Sequence, residues 1–180
     1  MNKHLKPLYD EHDIIVQAAE IARQAGPLAL EDGERYASLI RELTGFFRQY
    51  ADSYHHYKEE LILFPEMSRK NELLLGGVVG EMLENHTDFR EMLGAVVKFL
   101  DRGEHQKARQ QLDYYLEALL DHIAVENDEV FPMAETLFSE QELEKLSHRF
   151  DDCDRELGTG KKDQWQDLVR KLRKEYTLNI

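Results

Sequence analysis

The 180-residue chain has little of what builds sheets, disulfide frameworks or membrane anchors. Period-two alternation of β-branched residues is nearly absent, which argues against a sheet protein. A single cysteine, Cys153, cannot close a disulfide within the chain, so nothing ties it to an oxidising compartment. No apolar run approaches membrane-spanning length; the stretch Leu73 to Val79 is short and carries Gly76 and Gly77. The first residues, MNKHLKPLYDEHD, contain no apolar leader, so a cytoplasmic protein is expected. Basic residues are outnumbered, 23 Lys and Arg against 36 Asp and Glu, for a formal charge of −13. That balance argues against a nucleic-acid or anionic-membrane partner, since phosphate contacts need clustered Lys and Arg.

What remains is helical. Hydrophobic residues make up 42% of the chain and recur at three- and four-residue steps almost throughout. The first pattern runs from about Leu8 to Gln24 and stops at Gly26-Pro27. A second runs from Gly33 past Glu60 to Phe64-Pro65, where the proline is expected to end or kink it. A third starts after Gly76-Gly77 and ends at Gly103. A fourth spans Glu104 to Val130 and stops at Phe131-Pro132. These predict an all-α fold, an antiparallel up-down-up-down four-helix bundle. Two further patterns, Glu140 to Cys153 and Asp163 to Tyr176, predict additional C-terminal helices. Ser139 and Glu142 are placed for a capping box at the first of them. The expected division is a bundle over residues 1–137 and an extension over 138–180 packed on it, too poor in apolar residues for its own core.

The chemistry lies in a duplication. His55-His56-Tyr57-Lys58-Glu59 leads to Phe64-Pro65, and His122-Ile123-Ala124-Val125-Glu126 leads to Phe131-Pro132. Both read H-x3-E-x4-F-P. A given Phe-Pro carries His and an acid at those offsets by chance roughly once in a hundred, so two such matches are informative. A weaker match relates Glu11-His12-Asp13 to Asn85-His86-Thr87. Residues four apart share a helix face, so His55 projects with Glu59, and His122 with Glu126.

Inward stripes carrying His12 and His86 bring four imidazoles to two carboxylates. Two ionised glutamates inside a bundle are costly unless cations compensate them. The mixed donor set suits iron, manganese or zinc better than calcium or magnesium. Two octahedral metals filled by four imidazoles, two bridging carboxylates and a bridging hydroxide keep about two positions open, as a reactive site requires. Glu-x-x-His pairs of the ferritin-like kind are missing, and no Ser-His-Asp arrangement is found.

With these residues in view, the chain resembles the haemerythrin-like, HHE cation-binding domain family from about Lys6 to Glu135. The resemblance implies a four-helix bundle around a non-haem centre of two iron ions, carboxylate-bridged and hydroxo- or oxo-bridged. It implies His12, His55, His86 and His122 as terminal ligands and Glu59 and Glu126 as the bridges. It implies binding of, or reaction with, dioxygen or a related small oxidant such as peroxide or nitric oxide. The alternative is a non-catalytic iron or oxygen sensor or storage module in which metal occupancy controls bundle stability. Whether the chain is an enzyme is left open by either, and neither names a protein partner. Two departures from the oxygen-carrying members stand out. Arg90 replaces a second histidine one turn beyond His86, and Asn127 stands where they carry aspartate, Glu126 preceding it. One metal is therefore expected to be less saturated.

His56 and Glu60 form a second H-x3-E pair, rotated by about 100° from the first. It is read as a surface or supporting pair, with the alternative that His56 replaces a missing ligand. Tyr9 and Tyr115 are read as packing residues, and Cys153 as an unreactive thiol among carboxylates.

Overall fold

The computed structural model describes residues 1–177; the last three residues of the expected extension lie outside them. Among the described residues the chain is helical, with no strand. No helix is long and apolar enough to cross a membrane.

Helix α1 spans Lys6–Gln24. A single turn, α2 (Leu28–Glu31), follows and was not expected from the sequence. Asp32 then caps α3 (Gly33–Phe46), its side chain accepting from the Arg35 backbone N–H. Here the expected uninterrupted helix gives way to two π-helical stretches, Phe47–His56 and Glu59–Leu63, before α4 (Phe64–Lys70). After a 3₁₀ turn at Glu72–Leu74, α5 (Val78–Asp101) packs along α6 (His105–Val125). Gly103, at φ 67, reverses the chain between them. A third π stretch, Glu126–Val130, leads from α6 into α7 (Phe131–Leu137). Ser139 and Glu142 form the expected capping box of α8 (Glu140–Leu157). Gly158, at φ 100, ends α8, and α9 (Thr159–Thr177) returns along α1.

The two Phe-Pro pairs do not end their helices. In each copy the last π hydrogen bond runs five residues back, from Phe64 N–H to the Glu59 carbonyl and from Phe131 N–H to the Glu126 carbonyl. Pro65 and Pro132 then lie in the first turn of a new α segment, where a missing N–H is harmless. The π register thus absorbs the proline that an α ladder would have to break for.

Apolar side chains form two clusters. One holds Ile15, Ala51, Phe89 and Leu119; the other holds Leu8, Leu63, Met82 and Val130. Each long helical path passes from one cluster to the other through a buried polar position: His12 on α1, His55 after α3, His86 on α5 and His122 on α6. The polar residues form one layer, walled on both sides by hydrocarbon. Phe64 and Phe131 are fully buried plugs in the second cluster. Trp165 of α9 meets Phe46 edge-on at 6.4 Å over the bare Cα of Gly45.

Two glycines of α5 test this packing. A Cβ at Gly80 would lie 2.3 Å from the Leu75 carbonyl oxygen, whereas one at Gly94 meets nothing within 4 Å. Gly80→Ala is expected to destabilise by about 1–3 kcal/mol. Gly94→Ala is expected to stabilise by about 0.5–1 kcal/mol through helix propensity. Thermal unfolding of both variants checks this; the opposite order would mean that the 71–77 connection does not close on α5.

Candidate metal centre

The polar layer holds two adjoining groups of donors. His12, His55, Glu59 and Glu126 form the first; His56, His86 and His122 form the second. Within each, one ligand-type atom of every residue lies within 4.8 Å of the others. All six residues expected from the sequence are brought together, and His56 is added. All seven are buried, with Glu59 and Glu126 at 0% exposure.

The Nε2 atoms face inward. His12 Nε2 and His122 Nε2 each lie 3.2 Å from Glu126 Oε2. His55 Nε2 lies 3.3 Å from Glu59 Oε1, and His86 Nε2 is 3.6 Å from Glu59 Oε2. His86 Nε2 and His122 Nε2 approach to 3.1 Å. The glutamates therefore stand between the two groups, Glu59 reaching His55 and His86, Glu126 reaching His12 and His122.

The outward Nδ1 atoms have separate partners. His12 Nδ1 is 2.8 Å from Asn127 Oδ1, His55 Nδ1 is 2.9 Å from Glu11 Oε2, and His86 Nδ1 is 2.9 Å from Glu60 Oε1. The Asn85 amide sits 3.4 Å from His122 Nδ1, and Asp52 Oδ1 lies 3.6 Å from His56 Nδ1. At His12, His55 and His86 an oxygen acceptor at Nδ1 favours the proton there and leaves Nε2 its lone pair, the tautomer that a metal-binding imidazole needs.

The sequence left His56 between a supporting residue and a substitute ligand, because a straight α-helix splays consecutive side chains by about 100°. The splay instead serves two neighbours. His55 turns to α1, its ring centroid 4.3 Å from that of His12. His56 turns to α5 and stacks on His86 at 3.8 Å with a 12° tilt. The adjacent His-His pair, at the end of a π stretch, was the available signal. Arg90 is engaged elsewhere, with Asp52 and Glu60, each 2.6 Å from its Nη2. The missing histidine beyond His86 thus has a counterpart in His56, so the donor deficit expected from Arg90 is smaller. Asn127, at the other departure, supports His12 from outside.

Tyr9 and Tyr115 pack as expected: Tyr9 edge-on against Phe131, Tyr115 edge-on against Phe47 and Phe89. Cys153 is buried, and its thiol is pushed up to about 11, by burial first. A cavity of about 270 Å³ runs to His56 between Asp52 and Arg90 at its polar side and Phe47, Phe89 and Tyr115 at its apolar side.

The layer is electrostatically unresolved by the protein alone. Burial, then the neighbouring Glu126 charge, raises the Glu59 carboxyl well above its usual range. Burial also opposes ionisation of Glu126, but the His122 and His12 imidazoles outweigh it and hold that carboxyl low. Burial lowers His56 and His86 below the ordinary imidazole value, so both are neutral, electron-pair donors. His12 Nε2, His55 Nε2 and all four oxygens of Glu59 and Glu126 are buried without a hydrogen bond in the chain. Such a set costs folding energy unless something positive binds it. Neutral imidazoles and carboxylates around one space are the donor set of a divalent transition metal.

The family model for the hemerythrin HHE cation binding domain matches residues 4–134, which contain every residue of both groups. No individual curated protein matches the chain.

A prediction follows for the chelator-treated, metal-free protein. Below the ordinary glutamate value of 4.5 both folded and unfolded chains protonate Glu59; above it only the folded chain keeps that proton. The Glu59 contribution to stability therefore worsens as pH rises from about 4.5. Glu59→Gln, which fixes the neutral form, is expected to stabilise the metal-free protein by about 1–3 kcal/mol near pH 7.5. The gain shrinks toward pH 4.5, and added metal no longer raises the melting temperature. A gain independent of pH would mean that Glu59 is not the group at fault.

Proposed function

Because the chain belongs to the hemerythrin HHE cation-binding domain family, we propose that it is a non-haem di-iron protein that binds or reacts with dioxygen or a related small oxidant. The observation that carries this reading is the convergence of five buried imidazoles on two buried carboxylates whose oxygens have no hydrogen-bond partner. His12, His55, Glu59 and Glu126 would hold one ion. His56, His86 and His122 would hold the other, with the same two glutamates spanning the pair. When bound, the iron pair supplies the electrons for reducing a small oxidant.

The protein's own share is positional. His12, His55 and His86 are each oriented by an oxygen acceptor at Nδ1, and burial keeps His56 and His86 neutral. The hydrocarbon clusters on both sides keep bulk water from the layer. The cavity ending at His56 offers a small molecule a way in, past the Asp52–Arg90 pair. Five imidazoles and four carboxylate oxygens do not fill two octahedral spheres, which leaves room for an exogenous ligand.

This reading includes a bundle over residues 1–137 whose four helical paths alternate in direction, with residues after 138 as an extension. It is supported by the order in which those paths cross the two apolar clusters. The sensor or storage reading is favoured by one observation, the Glu59–Glu126 conflict. A layer that is costly without metal couples occupancy to stability.

Iron-loaded protein is expected to carry close to two irons per chain and a near-ultraviolet absorption that azide shifts. Glu59→Ala and Glu126→Ala are expected to lose paired metal, while Glu60→Ala, which removes only the outer acceptor of His86, weakens binding but keeps the pair at saturating iron. Elemental analysis of the three variants decides; equal losses would place the donors in the wrong register. Turnover of peroxide with a reductant favours the enzyme. A drop in helicity on chelation without such turnover favours the sensor.

A further inference from the structure

The polar layer does not stop at the seven donors. On the far side of His55 lies a ring of alternating charge. Glu11 Oε1 accepts from both Lys58 Nζ and Lys162 Nζ. Asp154 accepts from the same two lysines, Oδ1 from Lys58 at 3.0 Å and Oδ2 from Lys162. Two carboxylates and two ammonium groups close on one another, and formal charge balances within the ring. Lys58 is 0% exposed, Glu11 2%, and the Lys162 side chain 15%. The oxygen of Glu11 that the lysines leave free, Oε2, is the one on His55 Nδ1.

The ring is contributed by four elements. Glu11 comes from α1 and Lys58 from the short turn between the π stretches. Asp154 and Lys162 come from α8 and α9, on either side of Gly158. The joint between the last two helices is thus set at the level of the polar layer. Tyr54, one residue before His55, fastens the same joint, its hydroxyl donating to the Leu157 and Gly158 carbonyls at 3.0 and 2.8 Å. The second group has nothing comparable, since its outward contacts, Glu60, Asp52 and Asn85, all lie before residue 139.

We propose that Lys162 and Asp154 are positioning residues of the metal centre. Acting through the Glu11 carboxylate, they fix the orientation of His55, so the C-terminal helix pair tunes the first donor group and not the second. The inference rests on the metal-binding reading above. A carboxylate held by two ammonium groups has one rotamer, and an imidazole donating to it has one orientation. Removing Lys162 leaves Asp154 and Glu11 facing each other over Lys58 alone, and Glu11 is then drawn off His55. Loss of such an outer partner costs a metal site about 10–100-fold in affinity.

The test uses the full chain, stripped with chelator, and cobalt(II) alone as the probe, followed by calorimetry and visible absorption. His56→Ala isolates the first group, and His55→Ala isolates the second. In the His56→Ala background, Lys162→Met and Asp154→Asn are each expected to weaken cobalt binding about 10–100-fold. The double substitution is expected to add little, because both break one ring. Lys162→Arg is expected to restore most of the affinity. In the His55→Ala background none of these changes alters binding. Arg149→Ala, which cuts the tie between α8 and Glu66, serves as the control for docking alone and is expected to leave cobalt affinity unchanged in both backgrounds.

Unchanged affinity in the His56→Ala background overturns the inference. So does an equal loss in both backgrounds, or a loss with Arg149→Ala as large as with Lys162→Met, since each would mean general loosening. If the unsubstituted chain takes up no cobalt, the metal reading itself fails and this inference fails with it, a result distinct from the others.

Discussion

Two carboxylates, Glu59 and Glu126, meet at full burial between two walls of hydrocarbon, and the rest of the layer is organised around that conflict. Like charges at close range in a poorly polarisable space cannot both persist unaided, and protonating one of them is the protein's only internal remedy. Every ion-pair neighbour of them is an imidazole, not an arginine or lysine that would neutralise them permanently. Cations are available in the sequence and are used one step further out, Lys58 on Glu11 and Arg90 on Glu60. The centre is kept negative and the next shell is balanced, which is how a site retains affinity for an external cation while the surrounding fold stays stable.

The π stretches follow from the same demand. Each of the two duplicated helices must deliver a histidine, a glutamate one turn later, and a phenylalanine plug followed by proline. A strict α ladder would set the proline ring against the carbonyl four residues back. Five-residue hydrogen bonds at Phe64 and Phe131 move the register past that clash and let the helix continue into α4 and α7. The longer π stretch before His56 belongs to only one copy, and that copy supplies two adjacent imidazoles to two different helices. Such insertions are found where function requires a side chain that α geometry would aim elsewhere.

Much of this was legible in the sequence because the duplicated spacing is itself a helical statement. His and Glu four apart, twice, before Phe-Pro, specify shared faces whatever the helices do elsewhere, and His12 and His86 fall on apolar stripes that have to turn inward. The capping box at Ser139 and the helix starts at Gly33 and Glu140 were equally local and equally readable. What escaped was everything that depends on register or on distant partners. Whether His56 supports or joins the donors stayed open because the projection assumed α geometry through residue 56. Lys58 and Glu11 gave no sign of burial, since a lysine and a glutamate each read as solvated until their partners 47 positions apart are placed together. The short helix at Leu28–Glu31 carries too little pattern to stand out from a loop.

The two donor groups are chemically unequal, and the inequality has a physical direction. The first takes two histidines and both glutamates; the second takes three histidines, of which His122 lies 3.2 Å from Glu126 Oε2 and His86 3.6 Å from Glu59 Oε2. Carboxylate-rich surroundings stabilise higher positive charge, so on the proposed reading the first group would favour the more highly charged ion. The imidazole-rich group, whose His56 lines the cavity, would favour the ion of lower charge. On the proposed reading, a small oxidant entering by the cavity at His56 would meet the imidazole-rich group first, with the ring through Glu11 bracing His55 on the other side. On that reading the asymmetry would divide binding and electron supply between the two donor groups.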